Sequence, residues 1–145
     1  MAIEIKPELL KEIAEYLDTG MLCFYNKTNG ELVTYPEGLE DSGLEDEWTE
    51  ETGKIEASPD DYLEIEKMSS HEAFEVMENF IDGINHIPTH NKFIDAISRK
   101  KPFAHFNDML TYYPDLREQW FAFKLQNYIE FVKSQIELYG RLESD

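Results

Sequence analysis

Apolar residues recur along this chain in two different rhythms. Leu9, Leu10, Ile13, Tyr16 and Leu17 are spaced by three and four, which places them on one face of a helix. Pro7 suits the first turn and Gly20 suits the stop, so the pattern predicts a helix from residue 7 to about residue 19. The rhythm then changes. Residues 21–26 form a short apolar, aromatic run, Lys27-Thr28-Asn29-Gly30 supplies a turn with an Asn-Gly pair, and residues 31–35 return before Pro36. This is the pattern of a β-hairpin, with Asn-Gly providing the positive φ angles of the turn. A third strand is predicted over residues 61–67, where Leu63 and Ile65 share one face and Glu64 separates them.

Beyond Met68 the pattern is helical. Ser69-Ser70-His71-Glu72 forms a capping box, in which serine and glutamate satisfy each other's backbone N–H groups. Phe74, Met77, Phe80, Ile81 and Ile84 follow at helical spacing, and Gly83 marks the end. Pro88 and Thr89 open a second helix with Phe93, Ile94 and Ile97 as its apolar face. Pro102 opens a third with Phe103, Phe106, Met109 and Leu110. Pro114 opens the longest, running to about residue 142, with Phe121, Leu125, Tyr128, Val132, Ile136 and Tyr139 as its stripe. Strands and helices are segregated rather than alternating, which predicts an α+β fold. An N-terminal helix and a small three-stranded antiparallel sheet would pack with a C-terminal bundle of about four helices. Between the hairpin and the third strand, residues 36–59 are rich in Glu, Asp, Gly, Ser and Thr and read as a long acidic loop. Leu44 and Trp48, four apart, are its exceptions and would dock a short helix.

Length and composition set this pattern in one domain over residues 1–145, divided into a helix-plus-sheet part (1–68) and a helical part (69–145). The net charge of −18 is uneven: residues 1–68 carry 19 Asp/Glu against 5 Lys/Arg, and residues 69–145 carry 12 against 8. A surface this acidic repels nucleic acid and anionic membranes and suits a basic protein partner. No apolar run approaches the roughly 20 residues of a membrane helix, and Met1–Lys6 lacks the basic start and apolar stretch of a signal peptide. The single cysteine, Cys23, lies in an apolar run with no His, Lys or Arg beside it and reads as a buried small hydrophobe. A cytoplasmic location is expected.

Candidate chemistry is sparse. Arg117, Trp120, Phe121 and Lys124 are three and four apart and share one helix face. They could form an aromatic platform flanked by cations, and the simpler reading is core packing beneath cationic stems. His105 and Asp108, three apart, could orient an imidazole as a base, but no serine or cysteine nucleophile lies near in sequence; a surface helix pair is the simpler reading. His86 and His90 with Asp82 lack zinc-ligand spacing, and the acidic loop lacks the ligand pattern of an EF-hand. Arg99-Lys100-Lys101, the one basic run, sits where a helix C-terminus favours cations. No phosphate loop, dinucleotide fingerprint or nucleophile elbow is present, so no metal or cofactor is expected and an enzyme is disfavoured.

Two strings are more particular. Lys101-Pro102-Phe103-Ala104-His105-Phe106-Asn107-Asp108-Met109-Leu110 and Leu116-Arg117-Glu118-Gln119-Trp120-Phe121-Ala122-Phe123-Lys124 follow Met77-Glu78-Asn79-Phe80-Ile81. In that order they resemble a family of small bacterial proteins known only as an uncharacterised protein family, number one-five-eight of its series. The hairpin Thr28-Asn29-Gly30-Glu31-Leu32-Val33 and the Tyr62-Leu63-Glu64-Ile65 strand resemble it too. Where that family carries a Gly-Ala-Phe entry and an Arg-Arg-Phe-Lys-Asp run, this chain has Lys101-Pro102-Phe103 and His105-Phe106-Asn107-Asp108, which removes local positive charge. The resemblance implies a fold and no activity. Two functions follow as expectations: a non-enzymatic protein-interaction or regulatory domain, or a ligand pocket near His105, Asp108, Arg117 and Lys124, with Trp120 beside it.

Overall fold

The computed structural model describes residues 5–144, with side chains described as far as Gly140. Of the Met1–Lys6 stretch weighed above as a leader, residues 1–4 lie outside the described residues. The fold is α+β. Helix α1 (Pro7–Asp18) leads into β1 (Met21–Asn26) and β2 (Leu32–Pro36), then α2 (Leu39–Ser42) and α3 (Thr49–Ala57), then β3 (Tyr62–Ile65). Four helices follow: α4 (Ser70–Asp82), α5 (Ile87–Ile97), α6 (Pro102–Leu110) and α7 (Pro114–Ser144). The chain divides into two compact units. One comprises the chain through Lys67 together with the helix from Tyr128 on; the other is Met68–Asn127. The first carries 23 Asp/Glu against 7 Lys/Arg and the second 8 against 6, so the acid belongs to the sheet unit.

In the sheet unit β1 is central, antiparallel to β2 and to β3. Cys23 pairs with Thr34 on one side and Ile65 on the other. Alternation sends Cys23, Tyr25 and Ile65 to one face, where they are buried, as are Leu10, Ile13 and Leu17 of α1; Val33, opposite Phe24, is buried on the other. That second face carries Phe24 stacked on Tyr35, with ring centroids 5.4 Å apart. Tyr128, Val132 and Ile136 of α7 are buried in the same unit. Gln135 bonds Glu66 in both directions: its Oε1 accepts from the Glu66 N–H at 3.0 Å, and its Nε2 donates to the Glu66 carbonyl at 2.7 Å.

The hairpin turn differs from the expectation of paired positive φ angles. Only Gly30 has positive φ (79°). The other constraint is Asn26, a buried polar side chain, whose Oδ1 accepts from the N–H of Thr28 at 2.8 Å and of Asn29 at 3.0 Å. One side chain thus satisfies two turn amides, so a second left-handed residue is not needed. Replacing Asn26 with alanine strands both donors and is expected to cost about 1–3 kcal/mol. Asn26→Asp keeps the acceptor and should lose less; urea denaturation of the two variants checks the ordering.

The acidic loop expectation is overturned. Residues 36–59 are largely helical: α2, a 3-10 turn at Glu45–Trp48 and α3 follow in series. Among the described residues of α3 none is buried, so no apolar stripe marked it, whereas glutamate itself favours helix. Lys54 ties α3 to the hairpin through Glu31 at 2.7 Å, an exposed pair of small energetic weight. Of the two apolar residues of this stretch, Leu44 is exposed and Trp48, at the end of the 3-10 turn, is half-buried.

In the helical unit the capping box forms as expected, with Ser69 Oγ accepting from the Glu72 N–H and Glu72 Oε1 accepting from the Ser69 N–H. The core gathers Met77, Phe80 and Ile81 of α4, Phe93 and Ile97 of α5, Phe106 and Leu110 of α6, and Trp120 of α7. Three residues assigned to apolar faces are exposed instead: Ile94 on α5, Phe103 on α6 and Phe121 on α7. On α7 the buried side is set by Trp120, one residue and about 100° around the helix from Phe121.

Candidate functional site

His105 and Asp108 lie on α6, and Arg117, Trp120, Phe121 and Lys124 on α7 before residue 127, within the helical unit. Trp120 is 6% exposed. Its ring lies 4.8 Å from that of Phe106 and 5.3 Å from that of Phe80, in edge-to-face arrangements. This is core packing, so Trp120 is no part of an open platform. Arg117 and Phe121 do come together on the surface: the guanidinium carbon is 5.1 Å from the ring centroid, and Phe121 is 53% exposed. Lys124 is half-buried.

His105 is half-buried and Asp108 exposed. Among the described residues no hydrogen bond or ion pair joins His105, Asp108 and Arg117. These three polar residues are therefore not bonded to one another. His86 and His90 have local duties. His86 is the N-cap of α5, with Nδ1 2.8 Å from Thr89 Oγ1 and accepting from the Thr89 N–H, while His90 Nδ1 lies 2.9 Å from the Ile81 carbonyl. Arg99 pairs with Asp95 one turn back. Lys101 caps α6 in the left-handed region at φ 56°, a strained conformation for a side chain with a Cβ.

Around these side chains the unit leaves large apolar groups in water. Tyr112 is 78% and Ile87 69% exposed, and Phe103 is exposed while touching Phe74 edge-on. The surface hollows described on the molecule lie in the sheet unit. One, of about 290 Å³, is lined by Leu63, Glu64, Ile65, Glu66, Gln135, Leu138 and Tyr139. Sequence reasoning gave no sign of this groove, because it depends on which residues of α7 come beside β3. Another, of about 400 Å³, is lined in part by Tyr35, Glu40, Asp41, Glu45 and Glu56. Burial and the charges of Glu64, Glu40 and Glu56 push the Tyr35 hydroxyl above its usual range. Cys23 is fully buried, its thiol pushed up to about 12 chiefly by burial and then by the charge of Glu12. Among the described residues no group of His, Cys, Asp or Glu is arranged to hold a metal ion, and no helix is long and apolar enough to cross a membrane.

A three-stranded antiparallel sheet in one unit and an aromatic-cored set of helices in the other define an α+β protein. Within that class the chain belongs to the Uncharacterised protein family (UPF0158), which it matches over residues 2–137. It is similar to the UPF0158 protein PA5073 of Pseudomonas aeruginosa, at 23% identity over 83 residues. The match covers 57% of this chain and 54% of the relative, so it spans about half the length of that curated protein. No solved structure matches the chain.

Proposed function

We propose that this chain is a non-enzymatic protein-interaction domain of the cytoplasm that binds through the exposed surface of its helical unit. The observation that carries this reading is the Arg117–Phe121 pair. A phenylalanine half in water with a guanidinium over its ring combines an aromatic residue with arginine, two residue types enriched at the centres of protein interfaces. Tyr112 and Ile87 add further apolar area in a unit whose charges nearly balance. Burying such groups against a partner recovers roughly 25 cal/mol for each Å² withdrawn from water. The ligand-pocket alternative near His105, Asp108, Arg117 and Lys124 has less support, since no bond joins the first three.

The test is affinity capture from cell lysate with the wild type and with an Arg117→Ala, Phe121→Ala double variant, after circular dichroism shows equal helix content. A partner should be retained by the wild type and its affinity reduced at least about tenfold in the variant, as expected when interface anchors are truncated. Equal retention of every protein by the two forms refutes the assignment of this surface.

A further inference from the structure

The sheet has an edge beyond which no strand lies among the described residues. β1 is central, and β3 pairs with it along one side only. Register shows which main-chain groups face outward. The Lys27 N–H donates to the Asp61 carbonyl at 2.8 Å, so residues 27 and 61 form a hydrogen-bonded pair. With Tyr25 opposite Leu63 and Cys23 opposite Ile65, the odd-numbered residues of β3 bond inward to β1. The even-numbered ones, Tyr62, Glu64 and Glu66, turn their main-chain groups the other way.

Two of those positions are already engaged. The Tyr62 N–H bonds back to the Pro59 carbonyl. Both groups of Glu66 are taken by the side-chain amide of Gln135, which imitates the next strand for one residue. That amide independently confirms the outward direction at even positions. Between them Glu64 presents its N–H and its carbonyl to the same side. The groove of about 290 Å³ runs beside this edge, with Leu63, Ile65, Leu138 and Tyr139 among its walls. Leu138 is 57% exposed there.

We propose that an extended basic segment of a partner protein adds to β3 as a fourth strand. Its main chain bonds Glu64, and its side chains alternate between the groove and the acidic face. Charge selects this occupant. Asp60, Glu64 and Glu66 are exposed along the strand and its approach, in a unit with 23 acids against 7 bases. Lys67, the cation beside the strand in sequence, is already paired with Glu37 at 2.7 Å. A strand with lysine or arginine opposite Glu64 gains a favourable cross-strand pair, and one with glutamate there is repelled. Apolar residues at the alternate positions fill the groove. The surface lies in the other unit from Arg117 and Phe121, so the inference stands apart from the function proposed above.

The probe is a seven-residue peptide of alternating valine and lysine, with a second version N-methylated along the edge that faces β3. Amide hydrogen exchange by NMR on the full chain reads the outcome at physiological salt. At saturating peptide, exchange of the Glu64 N–H should slow at least about tenfold, and N-methylation should weaken binding at least about fivefold, the effect of losing one or more hydrogen bonds. Glu64→Lys and Leu138→Ser, both exposed positions, should each weaken binding several-fold while leaving the fold unchanged by circular dichroism. Absence of binding at about 1 mM peptide overturns the proposal. So does undiminished binding by the N-methylated peptide without protection of Glu64, which would be bulk attraction to an acidic surface.

Discussion

Trp120→Ala is expected to destabilise the helical unit by about 3–5 kcal/mol, and Phe121→Ala to change stability by no more than about 0.5 kcal/mol. The two residues are adjacent and both aromatic, so composition cannot separate them. Burial does. Trp120 is 6% exposed and its ring meets those of Phe80, Phe106 and Phe123. Deleting it removes apolar contact from three partners and leaves a cavity whose walls are held by α4, α6 and α7. The aromatic geometry is lost as well, at about 0.5–1.5 kcal/mol for each such pair. Phe121 meets mainly water and the Arg117 guanidinium, so its truncation leaves no cavity. Urea denaturation followed by far-ultraviolet circular dichroism measures both. Comparable losses in the two variants would show that Trp120 is not the keystone of this core.

The second large effect concerns Cys23. In the folded protein its alkylation by iodoacetamide at pH 8 should be about a thousandfold slower than in urea, because the thiolate is the nucleophile and the thiol is raised from 9.0 to about 12. Complete burial slows the reaction further. The same shift makes stability depend on pH. The folded state holds the thiol neutral where the unfolded chain would ionise it, so this contribution is complete below about pH 9 and is lost progressively as pH rises toward 12. Urea midpoints between pH 8 and pH 10.5 should fall more steeply for the wild type than for Cys23→Ala. Parallel slopes, or rapid alkylation of the native protein, would contradict this account.

What could be read from the sequence was local. Ser69 and Glu72 announce a capping box because its partners are three residues apart and interact only with each other's backbone. The hairpin and the third strand were legible for the same reason: Gly30 and the alternation at Leu63 and Ile65 act within a few residues. What could not be read depended on distant choices. Helix α3 buries nothing, so hydrophobic periodicity, the main helix signal, was silent over it. In α7 a tryptophan and two phenylalanines within four residues support more than one stripe. The packing of Phe80 and Phe106 decides for Trp120 and against Phe121. The platform residues share a helix but not an environment, and His105 and Asp108 satisfy helical spacing without meeting. The groove beside β3 joins residues about 70 positions apart, beyond the reach of any pattern within one segment.

The contact between Gln135 and Glu66 has a consequence for which substitutions position 135 can accept. Its geometry asks one side chain to offer an acceptor and a donor side by side, matched to the spacing of a peptide group. Glutamate supplies only acceptors and would set its charge against the Glu66 carbonyl. Lysine supplies only donors. Asparagine has the right group on a stem one methylene shorter. Methionine matches the length and offers neither partner. A site on the surface of a helix, ordinarily among the most permissive in a protein, thereby favours one amino acid over its closest replacements. A complete substitution scan of α7 should find position 135 less tolerant than its exposed neighbours at 133 and 134 and more tolerant than the buried Val132 and Ile136, with its hydrogen-bond pattern rather than its volume as the constraint.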